Sequence, residues 1–255
     1  MKRTKTTPHS RNLLNSSNGS SNGAIHNTIL LSIPTKECDF VFQNCDFVEL
    51  PKHIVLNEVG APIKFCYFIN SGLASILSVM ASGKSVEVGL VGREGFIGLP
   101  LTAGFTTSPT RTVMQVTGSG FRITAADLKD ALRKCPNLAV ALHRFSQTLT
   151  LQATQVAACN RVHEVDQRLA RWLLMSQDRL NGDDITLTQD SLANMLGTRR
   201  ASVTVAAGIL QKAGLITYRR GDVKIDDRTG LEKASCECYE SLKRQNEKWK
   251  DETDN

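Results

Sequence analysis

The sequence predicts an α+β protein, in which an N-terminal β-roll of the jelly-roll type is followed by a long helix and then by short helices closed by a β-hairpin. Three observations support this prediction. From about residue 36 to 125, short runs rich in β-branched and aromatic residues alternate with glycines, as in jelly rolls. From about 136 to 160, apolar residues recur at helical spacing. Beyond 161, helical and strand patterns alternate over short distances.

The composition is that of a globular protein with a basic surface. The 255 residues are 41% hydrophobic, which suffices for a core in one large or two ordinary domains, and the net charge of +6 suggests a polyanionic partner. No apolar run approaches the roughly 20 residues that a membrane span needs. The basic, Ser/Asn-rich N-terminus lacks the apolar centre of a secretory signal. A cytoplasmic protein is therefore expected, with no membrane partner.

The strand region is predicted from six short segments bounded by glycines. They read "HIVLNEV", "KFCYFIN", "ASILSVM", "SVEVGLV", "RTVMQVT" and "GFRIT". Asn70-Ser71-Gly72 stands between two apolar runs, and this pattern predicts a hairpin there.

Two helices are predicted after the strands. Thr124 is a suitable N-cap for the first, and Pro136 ends it and opens the second. The second helix carries a narrow apolar seam of residues Leu138, Leu142, Phe145, Leu149, Val156 and Cys159. Such a seam favours pairing with a second copy of the chain. The alternative is that the helix packs on its own β-domain.

The seven cysteines do not have the spacing of a compact metal site. Only Cys236 and Cys238 are close in sequence, and this pair alone is weak evidence for a metal site. Inert structural thiols are favoured, so no metal ligand is predicted; a thiol redox sensor and an iron–sulfur site are the alternatives.

Residues 188–225 have the pattern of a winged helix-turn-helix. Thr188 can cap a first helix, Gly197 supplies the turn, and Thr198 can cap a second helix. The predicted inward face of the second helix consists of Val203, Ala206, Ile209 and Leu210. Two short strands around Gly221-Asp222 then complete a wing.

The charges of this unit predict DNA binding. Residues 196–221 contain no acid and five bases. Arg199 and Arg200 at a helix N-terminus cost about 0.3–1 kcal/mol each against the helix dipole, whereas one bidentate arginine–guanine contact contributes about 1–3 kcal/mol of discrimination. The predicted DNA contacts are Thr188, Gln189, Thr198, Arg199, Arg200, Ser202, Thr204, Arg219 and Arg220.

Three segments resemble the Crp/Fnr family of transcription regulators. "LTQDSLANMLGTRRASVTVAAGILQKAGLI" resembles the family's DNA-binding segment, "VDQRLARWLL" the helix after its hinge, and "GAPIKFCYFINSGLASILSVMASGKSVEVGLVGREGFIG" its cyclic-nucleotide-binding-type β-roll. The resemblance spans roughly residues 36–240. It implies a homodimer joined by the long helix, a small-molecule or redox signal in the β-roll, a palindromic double-stranded DNA operator, and RNA polymerase as a partner.

The resemblance also implies roles for individual residues. Arg200 falls where the family has a guanine-reading arginine, and Thr188 and Ser202 fall at positions that contact the DNA backbone. Ala201 and Val205 depart from the family, which often has a reading glutamate and a second reading arginine there. We therefore expect an operator that differs from the best-known consensus.

The effector is less defined than the DNA contacts. The resemblance makes a cyclic nucleotide a candidate ligand, with Glu94-Gly95 and Arg111-Thr112 as the candidate binding residues. However, Arg111 follows Glu94 by seventeen positions, which is longer than the family loop. Another small ligand, or none, is favoured, and no definite cofactor is predicted. The candidate haem ligands are His53, His143 and His163, each of which is also a suitable surface or packed histidine.

The predicted organisation has five segments. They are a disordered tail (1–27), a β-roll sensor (28–135), a dimerisation helix (136–160), a winged helix-turn-helix (161–240) and a charged tail (241–255).

The predicted function is sequence-specific regulation of transcription. The alternative is a nucleoid-type protein that binds DNA or RNA without sequence readout and has a vestigial sensor. An enzyme is not predicted, because a cupin-like metal site needs several histidines and the β-region contains only His53. No catalytic residue is predicted.

Overall fold

The structure is a computed structural model that describes residues 24–180, 184–219 and 221–254. Most of the predicted N-terminal tail and the predicted DNA contact Arg220 lie outside these ranges. Within them, none of the helices is both long enough and apolar enough to cross a bilayer.

The chain is already folded at the end of the predicted tail. Ile25 and Asn27 are buried, and the Asn27 amide donates hydrogen bonds of 2.8 Å to the carbonyls of Ile69 and Gly95. The Asn27 side chain also caps α1 (Thr28–Ser32). The prediction of disorder is therefore wrong for residues 24–27, because these residues pack on the β-roll.

An antiparallel six-stranded sheet forms the N-terminal domain, preceded by α1 and α2 (Thr35–Phe42), as predicted for a β-roll. Its main path runs β1-β6-β3-β4, with β2 paired to β6 and β5 to β3. The strands are β1 (Cys45–Leu50), β2 (Val55–Asn57), β3 (Phe65–Val79), β4 (Ser85–Val91), β5 (Phe96–Ile97) and β6 (Arg111–Thr124).

The predicted hairpin at Asn70-Ser71-Gly72 is wrong, because β3 continues through it. The register between β3 and β6 shifts on both sides of Ser71, and Gly72 has φ +83°. A Cβ atom at Gly72 would lie 2.7 Å from the Val116 carbonyl oxygen, so the two strands approach too closely for a side chain. The glycine therefore marks a bulge within a long strand rather than a turn.

The two helices predicted after the sheet are α3 (Ala125–Lys134) and α4 (Pro136–Val162). The Thr124 hydroxyl accepts a 3.1 Å hydrogen bond from the Asp127 amide, which confirms the predicted cap. Pro136 occupies the first turn of α4, also as predicted.

The apolar seam of α4 packs inside the same chain. Leu138 and Leu142 are completely buried in the core of the β-roll, and Phe145 belongs to the same cluster. Val156 and Cys159 are also buried. The favoured use of this seam, pairing with a second copy, is therefore wrong, and the alternative of packing within the chain is confirmed for these residues.

The C-terminal unit has the predicted helix-turn-helix and wing. Its three-stranded sheet has the order β7-β9-β8. The elements are α5 (Val165–Gln177), β7 (Asp184–Thr186), α6 (Gln189–Met195), α7 (Arg200–Lys212), β8 (Ile216–Arg219), β9 (Asp222–Ile225), α8 (Arg228–Ala234) and α9 (Cys238–Asp254).

The predicted charged tail is part of α9. This helix begins at Cys238, before the predicted boundary, and Tyr239 and Leu242 are buried in the core of the C-terminal unit. Residues 241–254 therefore belong to a helix that is anchored in the core at its start.

The two domains share a hydrophobic core. Leu73 and Leu90 of the β-roll lie in one cluster with Trp172 and Leu173 of α5. The C-terminal unit is thus packed against the sheet of the β-roll.

Candidate nucleic-acid interface, sensor region and cysteine cluster

A side-chain cap begins the first helix of the helix-turn-helix, and a glycine forms its turn. The Thr188 hydroxyl accepts a 3.2 Å hydrogen bond from the Ser191 amide and so caps α6. Gly197 has φ +58°, a left-handed conformation that favours glycine. A Cβ at this position would also lie 3.1 Å from the side chain of Val86 on β4. The turn therefore needs glycine for its backbone conformation and for its contact with the β-roll.

Both arginines lie at the N-terminus of α7, as predicted. Arg199 is the N-cap residue, without a side-chain capping bond, and Arg200 is the first helical residue. The prediction that Thr198 caps this helix is therefore wrong, because the helix begins one residue later than the sequence suggested.

Arg200 forms an ion pair with a carboxylate of the preceding helix. Its Nη1 lies 3.3 Å from Asp190 Oδ2, and both side chains are about two-thirds exposed. Exposed pairs of this kind contribute roughly 0–1 kcal/mol, which is less than the ~1–3 kcal/mol of a bidentate guanine contact. DNA can therefore compete with Asp190 for the guanidinium.

A surface groove of about 570 Å³ runs between α6, α7 and β8. Thr204 Oγ1 donates a 2.8 Å hydrogen bond to Gln189 Oε1 across it. Tyr218, which the sequence analysis missed, also lines it and donates a 2.9 Å hydrogen bond to the Leu187 carbonyl. The predicted contacts in this groove are Thr188, Gln189, Arg200 and Thr204.

Two further predicted contacts, Ser202 and Arg219, are not among the residues that line this groove. Ser202 lines a separate groove beside the start of α5, and Arg219 is exposed at the end of β8. Ile209 was predicted to face inward but is 50% exposed, and it shares an exposed stripe of α7 with Ala201 and Val205. The exposed face of α7 is thus more apolar than predicted.

The structure gives Glu94 and Arg111 separate ionic partners. Glu94 Oε1 accepts hydrogen bonds from the Gly92 amide at 3.1 Å and from Arg179 Nε at 2.8 Å. Arg111 Nε lies 3.0 Å from each carboxylate oxygen of Glu58. This bond to Arg111 lowers the pKa of Glu58.

The other two candidate effector residues are part of the packing. A Cβ at Gly95 would lie 2.5 Å from the Phe145 ring, so this glycine permits close contact with α4. Thr112 is buried in β6, where it pairs with Asn57 and Ile76.

A cavity of about 570 Å³ adjoins Glu94. It is bounded by the β4–β5 loop, α4, the end of α5 and α9, and neither Arg111 nor Thr112 is among its lining residues. Residues that line it include Glu94, Arg144, Phe145, Arg179, Trp249 and Lys250. Of the four candidate effector residues, only Glu94 borders it.

Glu87 connects the β-roll with the C-terminal unit. It is 5% exposed, and its carboxylate accepts hydrogen bonds from the Ser75 hydroxyl and, at 2.7 Å, from Trp172 Nε1. Burial raises the pKa of Glu87 to about 7. The sequence alone does not indicate this role, because nothing in "SVEVGLV" shows that the glutamate faces a second domain.

A cluster of three thiols and an imidazole lies where α4 meets α9. It consists of Cys159, His163, Cys236 and Cys238, and their potential ligand atoms lie within 4.8 Å of one another. The hydrogen bond from the Cys236 thiol, with help from Arg171, lowers the pKa of Cys159 to about 5, and the same bond raises the pKa of Cys236. The sequence showed only the Cys236/Cys238 pair, because its partners are more than 70 residues away in the chain.

The other candidate haem ligands do not belong to this cluster. His143 is exposed on α4, and His53 is exposed with φ +72° in the loop before β2.

Comparison with known proteins identifies the C-terminal unit. Residues 167–234 match the profile of the Crp-like helix-turn-helix domain. No curated protein sequence matches the chain.

Solved structures share the fold at low sequence identity. A putative Crp/Fnr-family transcriptional regulator from Eubacterium rectale has a TM-score of 0.64 at 16% identity, covering 82% of this chain and 98% of its own. FixK2 from Bradyrhizobium japonicum has a TM-score of 0.65 at 14% identity, with coverages of 75% and 98%. CLP, a c-di-GMP-responsive global regulator from Xanthomonas campestris, has a TM-score of 0.63 at 18% identity, with coverages of 75% and 99%.

These comparisons confirm the predicted fold class and the resemblance to the Crp/Fnr family. The chain carries a Crp-like helix-turn-helix domain, and its overall fold is similar to that of Crp/Fnr regulators.

Proposed function

We propose that this protein is a Crp/Fnr-type transcription regulator that binds a specific DNA operator as a homodimer and whose β-roll responds to a signal. The observation that carries the proposal is the pair of exposed arginines, Arg199 and Arg200, at the start of the second helix of a Crp-like helix-turn-helix. In helix-turn-helix proteins, the N-terminal residues of this helix contact base edges in the major groove.

Arg200 is the proposed base reader. On binding, its guanidinium exchanges Asp190 for the O6 and N7 atoms of a guanine. Arg199 contacts a phosphate or shares the readout. The proposed backbone contacts are Thr188, Gln189, Thr198, Ser202, Thr204, Arg219 and Arg220.

The exposed stripe of α7 favours apolar base contacts. Val205 is 64% exposed and Ala201 is exposed one turn before it, where the family often has polar readers. Side-chain methyl groups in the major groove contact the methyl group of thymine. We therefore expect the operator to contain thymines next to the guanine that Arg200 reads.

The proposed dimer uses the exposed face of α4 rather than the predicted seam. Residues 145–160 contain no charged side chain, although this stretch includes exposed positions such as Gln147, Thr150, Thr154 and Ala157. An uncharged exposed face on a 27-residue helix is suited to a second copy of the same helix. A two-fold dimer would bind a palindromic operator, and RNA polymerase is the partner through which such a regulator would act.

The proposed signal acts where the two domains meet. The cavity beside Glu94 has three basic residues, Arg144, Arg179 and Lys250, against the acidic Glu94 and Glu252, so it suits an anionic ligand. A cyclic nucleotide is one candidate, since the similar CLP is described as c-di-GMP-responsive. A ligand that competed for Arg179 would weaken the Glu94–Arg179 ion pair, which ties the turn after α5 to the β-roll.

The test is selection of bound duplexes from genomic DNA, followed by titration of the selected and a scrambled duplex. We expect Arg200→Ala to lose about 5- to 150-fold in affinity for the selected duplex, which corresponds to ~1–3 kcal/mol. The matched control is Arg133→Ala on α3, which also removes an arginine that is about two-thirds exposed and paired with an aspartate. An equal loss on both duplexes would contradict base reading by Arg200.

A salt titration separates this proposal from non-specific binding. A nucleoid-type protein would bind operator and random DNA equally at every salt concentration, because phosphate contacts carry no sequence information. The proposed regulator keeps its preference for the operator as salt rises.

A further inference from the structure

The end of α4 and the start of α9 bring together four side chains with sulfur or nitrogen donors. Cys159 lies in the last turn of α4, His163 follows that helix, and Cys236 and Cys238 flank the start of α9. Cys159 Sγ lies 3.5 Å from Cys236 Sγ, and Cys238 Sγ lies 3.5 Å from His163 Nδ1.

We propose that these four side chains bind one zinc ion as a structural Cys3His site. The ion fastens α9 to the hinge between α4 and α5, where the proposed dimer helix passes into the DNA-binding unit. The proposal does not depend on the proposed function, because zinc binding can be measured without DNA.

The dimensions of the cluster fit a single ion. Zinc sites are tetrahedral with Zn–S distances of about 2.3 Å, which places two ligating sulfurs roughly 3.8 Å apart. All four donor atoms lie within 4.8 Å of one another, so small movements complete a tetrahedron. In a [4Fe–4S] cluster each thiolate binds a different iron, which requires a wider spacing of the cysteines.

The ligand set and its burial fit a structural zinc site. Cys159, Cys236 and Cys238 are at most 3% exposed. Cys3His is an established set for structural zinc, and closed sites of this kind leave no open position for a substrate. Thiolates also disfavour the hard cations Mg²⁺ and Ca²⁺.

A carboxylate orients the imidazole for this role. Glu237 Oε2 lies 2.9 Å from His163 Nε2, which leaves Nδ1 facing Cys238. Metal-bound histidines typically use their second nitrogen in this way, and the partner fixes the orientation of the ring. Gln155 Nε2 also donates a 3.1 Å hydrogen bond to Cys238 Sγ.

Two buried arginines supply an independent electrostatic argument. Arg168 and Arg171 are 6% and 3% exposed, and their charges act on Cys159. Among the residues that the structure describes, the Nε atom of each arginine lacks a hydrogen bond, and the carboxylate whose charge acts on Arg171 is the buried Glu87, which is already hydrogen-bonded to Ser75 and Trp172. Three thiolates and one Zn²⁺ carry a net charge of −1, which supplies a counter-charge for these cations.

The test measures metal in the full chain, purified under reducing conditions without chelator. We expect one zinc per chain, and we expect the metal-stripped chain to bind Co²⁺ with the intense visible bands of tetrahedral thiolate coordination. Stripping the wild-type protein should lower its melting temperature, and added zinc should restore it. This comparison needs no substitution, so it does not depend on whether a variant folds.

Variants then assign the ligands. We expect Cys236→Ser and His163→Gln to bind zinc at least tenfold more weakly than the wild type. The matched controls are Cys135→Ser, which removes a buried thiol at the opposite end of α4, and His143→Gln, which removes an exposed imidazole from the same helix. Both controls should bind zinc like the wild type, and circular dichroism should show folded protein throughout.

Two outcomes of the metal analysis would overturn the proposal: a reduced chain with neither bound zinc nor a tetrahedral cobalt spectrum, and iron with acid-labile sulfide in place of zinc. A Cys159–Cys236 disulfide that persists in reductant would also overturn it. So would a Cys236→Ser variant that binds zinc as tightly as the wild type.

Discussion

The indole Nε1 of Trp172 donates a 2.7 Å hydrogen bond to the carboxylate of Glu87 and so joins the C-terminal unit to the β-roll. Trp172 is 1% exposed and lies on α5, whereas Glu87 lies on β4, 85 residues earlier. A titratable group at the boundary between the two domains makes their association dependent on pH.

Glu87→Gln should flatten this pH dependence. The pKa of Glu87 is raised to about 7 in the folded protein, from an ordinary value of 4.5. The folded state therefore retains a proton that the unfolded state releases, so this contribution to stability is complete below about pH 4.5 and is lost as the pH rises through about 7. The free energy of unfolding should fall by about 3 kcal/mol over this interval, at about 1.4 kcal/mol for each pH unit.

Urea unfolding at a series of pH values measures this effect as the difference in the free energy of unfolding between Glu87→Gln and the wild type. The exposed Glu49→Gln on β1 is the control and should follow the wild type. If the free energies of unfolding of Glu87→Gln and the wild type differed by a constant amount from pH 4 to 8, Glu87 would not be the source of the pH dependence.

Gly197→Ala should destabilise the protein by about 1–2 kcal/mol, because a left-handed φ is unfavourable for alanine. The new Cβ would also crowd Val86 at 3.1 Å. The control is Gly208→Ala in α7, where a Cβ meets nothing within 4 Å and helix propensity favours alanine by up to ~1 kcal/mol. Denaturant unfolding should show that Gly197→Ala lowers the free energy of unfolding and that Gly208→Ala raises it. A change in the same direction for both variants would refute the role of Gly197 in the turn.

Asp190→Asn should strengthen DNA binding. The substitution frees Arg200 from its 3.3 Å ion pair, which is worth at most ~1 kcal/mol, so the affinity for the selected duplex should rise by up to about fivefold. Part of the rise reflects the removal of one negative charge from the proposed DNA-binding surface, and this part should shrink as salt screens the charge, so the affinities of variant and wild type should be compared at several salt concentrations. Asp130→Asn on α3, which also loses a surface ion pair, is the control. A decrease in affinity would show that Asp190 positions Arg200 for binding rather than competing with DNA.

Thr154→Glu should weaken the proposed dimer. Thr154 is exposed on the uncharged face of α4, and near a two-fold axis the substitution would place two carboxylates close together. Analytical ultracentrifugation should show a dissociation constant at least tenfold higher than that of the wild type. Ser82→Glu, in the exposed turn between β3 and β4, should leave the dimer intact. A wild type that sediments as a monomer at all concentrations would contradict the dimer itself.

The sequence determined the elements whose signals are local. Thr188, Gly197 and the two arginines lie within one short segment, and caps, turns and helical periodicity act over a few residues. For the same reason the β-roll, the break at Pro136 and the wing could be predicted without knowledge of what packs against them.

Only the tertiary structure decided which faces are covered. The Leu138–Phe145 part of the α4 seam has the same periodicity whether it packs on a second chain or on its own β-roll, and it packs on the β-roll. Asn70-Ser71-Gly72 has the composition of a turn, but the close approach of β6 makes it a bulge.

Two sites, the Glu87–Trp172 contact and the cysteine cluster, depend on long-range contacts that the sequence alone does not reveal. Glu87 acquires its role from Trp172, and the cysteine cluster acquires its fourth donor from His163, across separations of 85 and 75 residues. Local patterns specify a residue's own secondary structure, whereas a buried polar site depends on the partners that the folded chain brings to it.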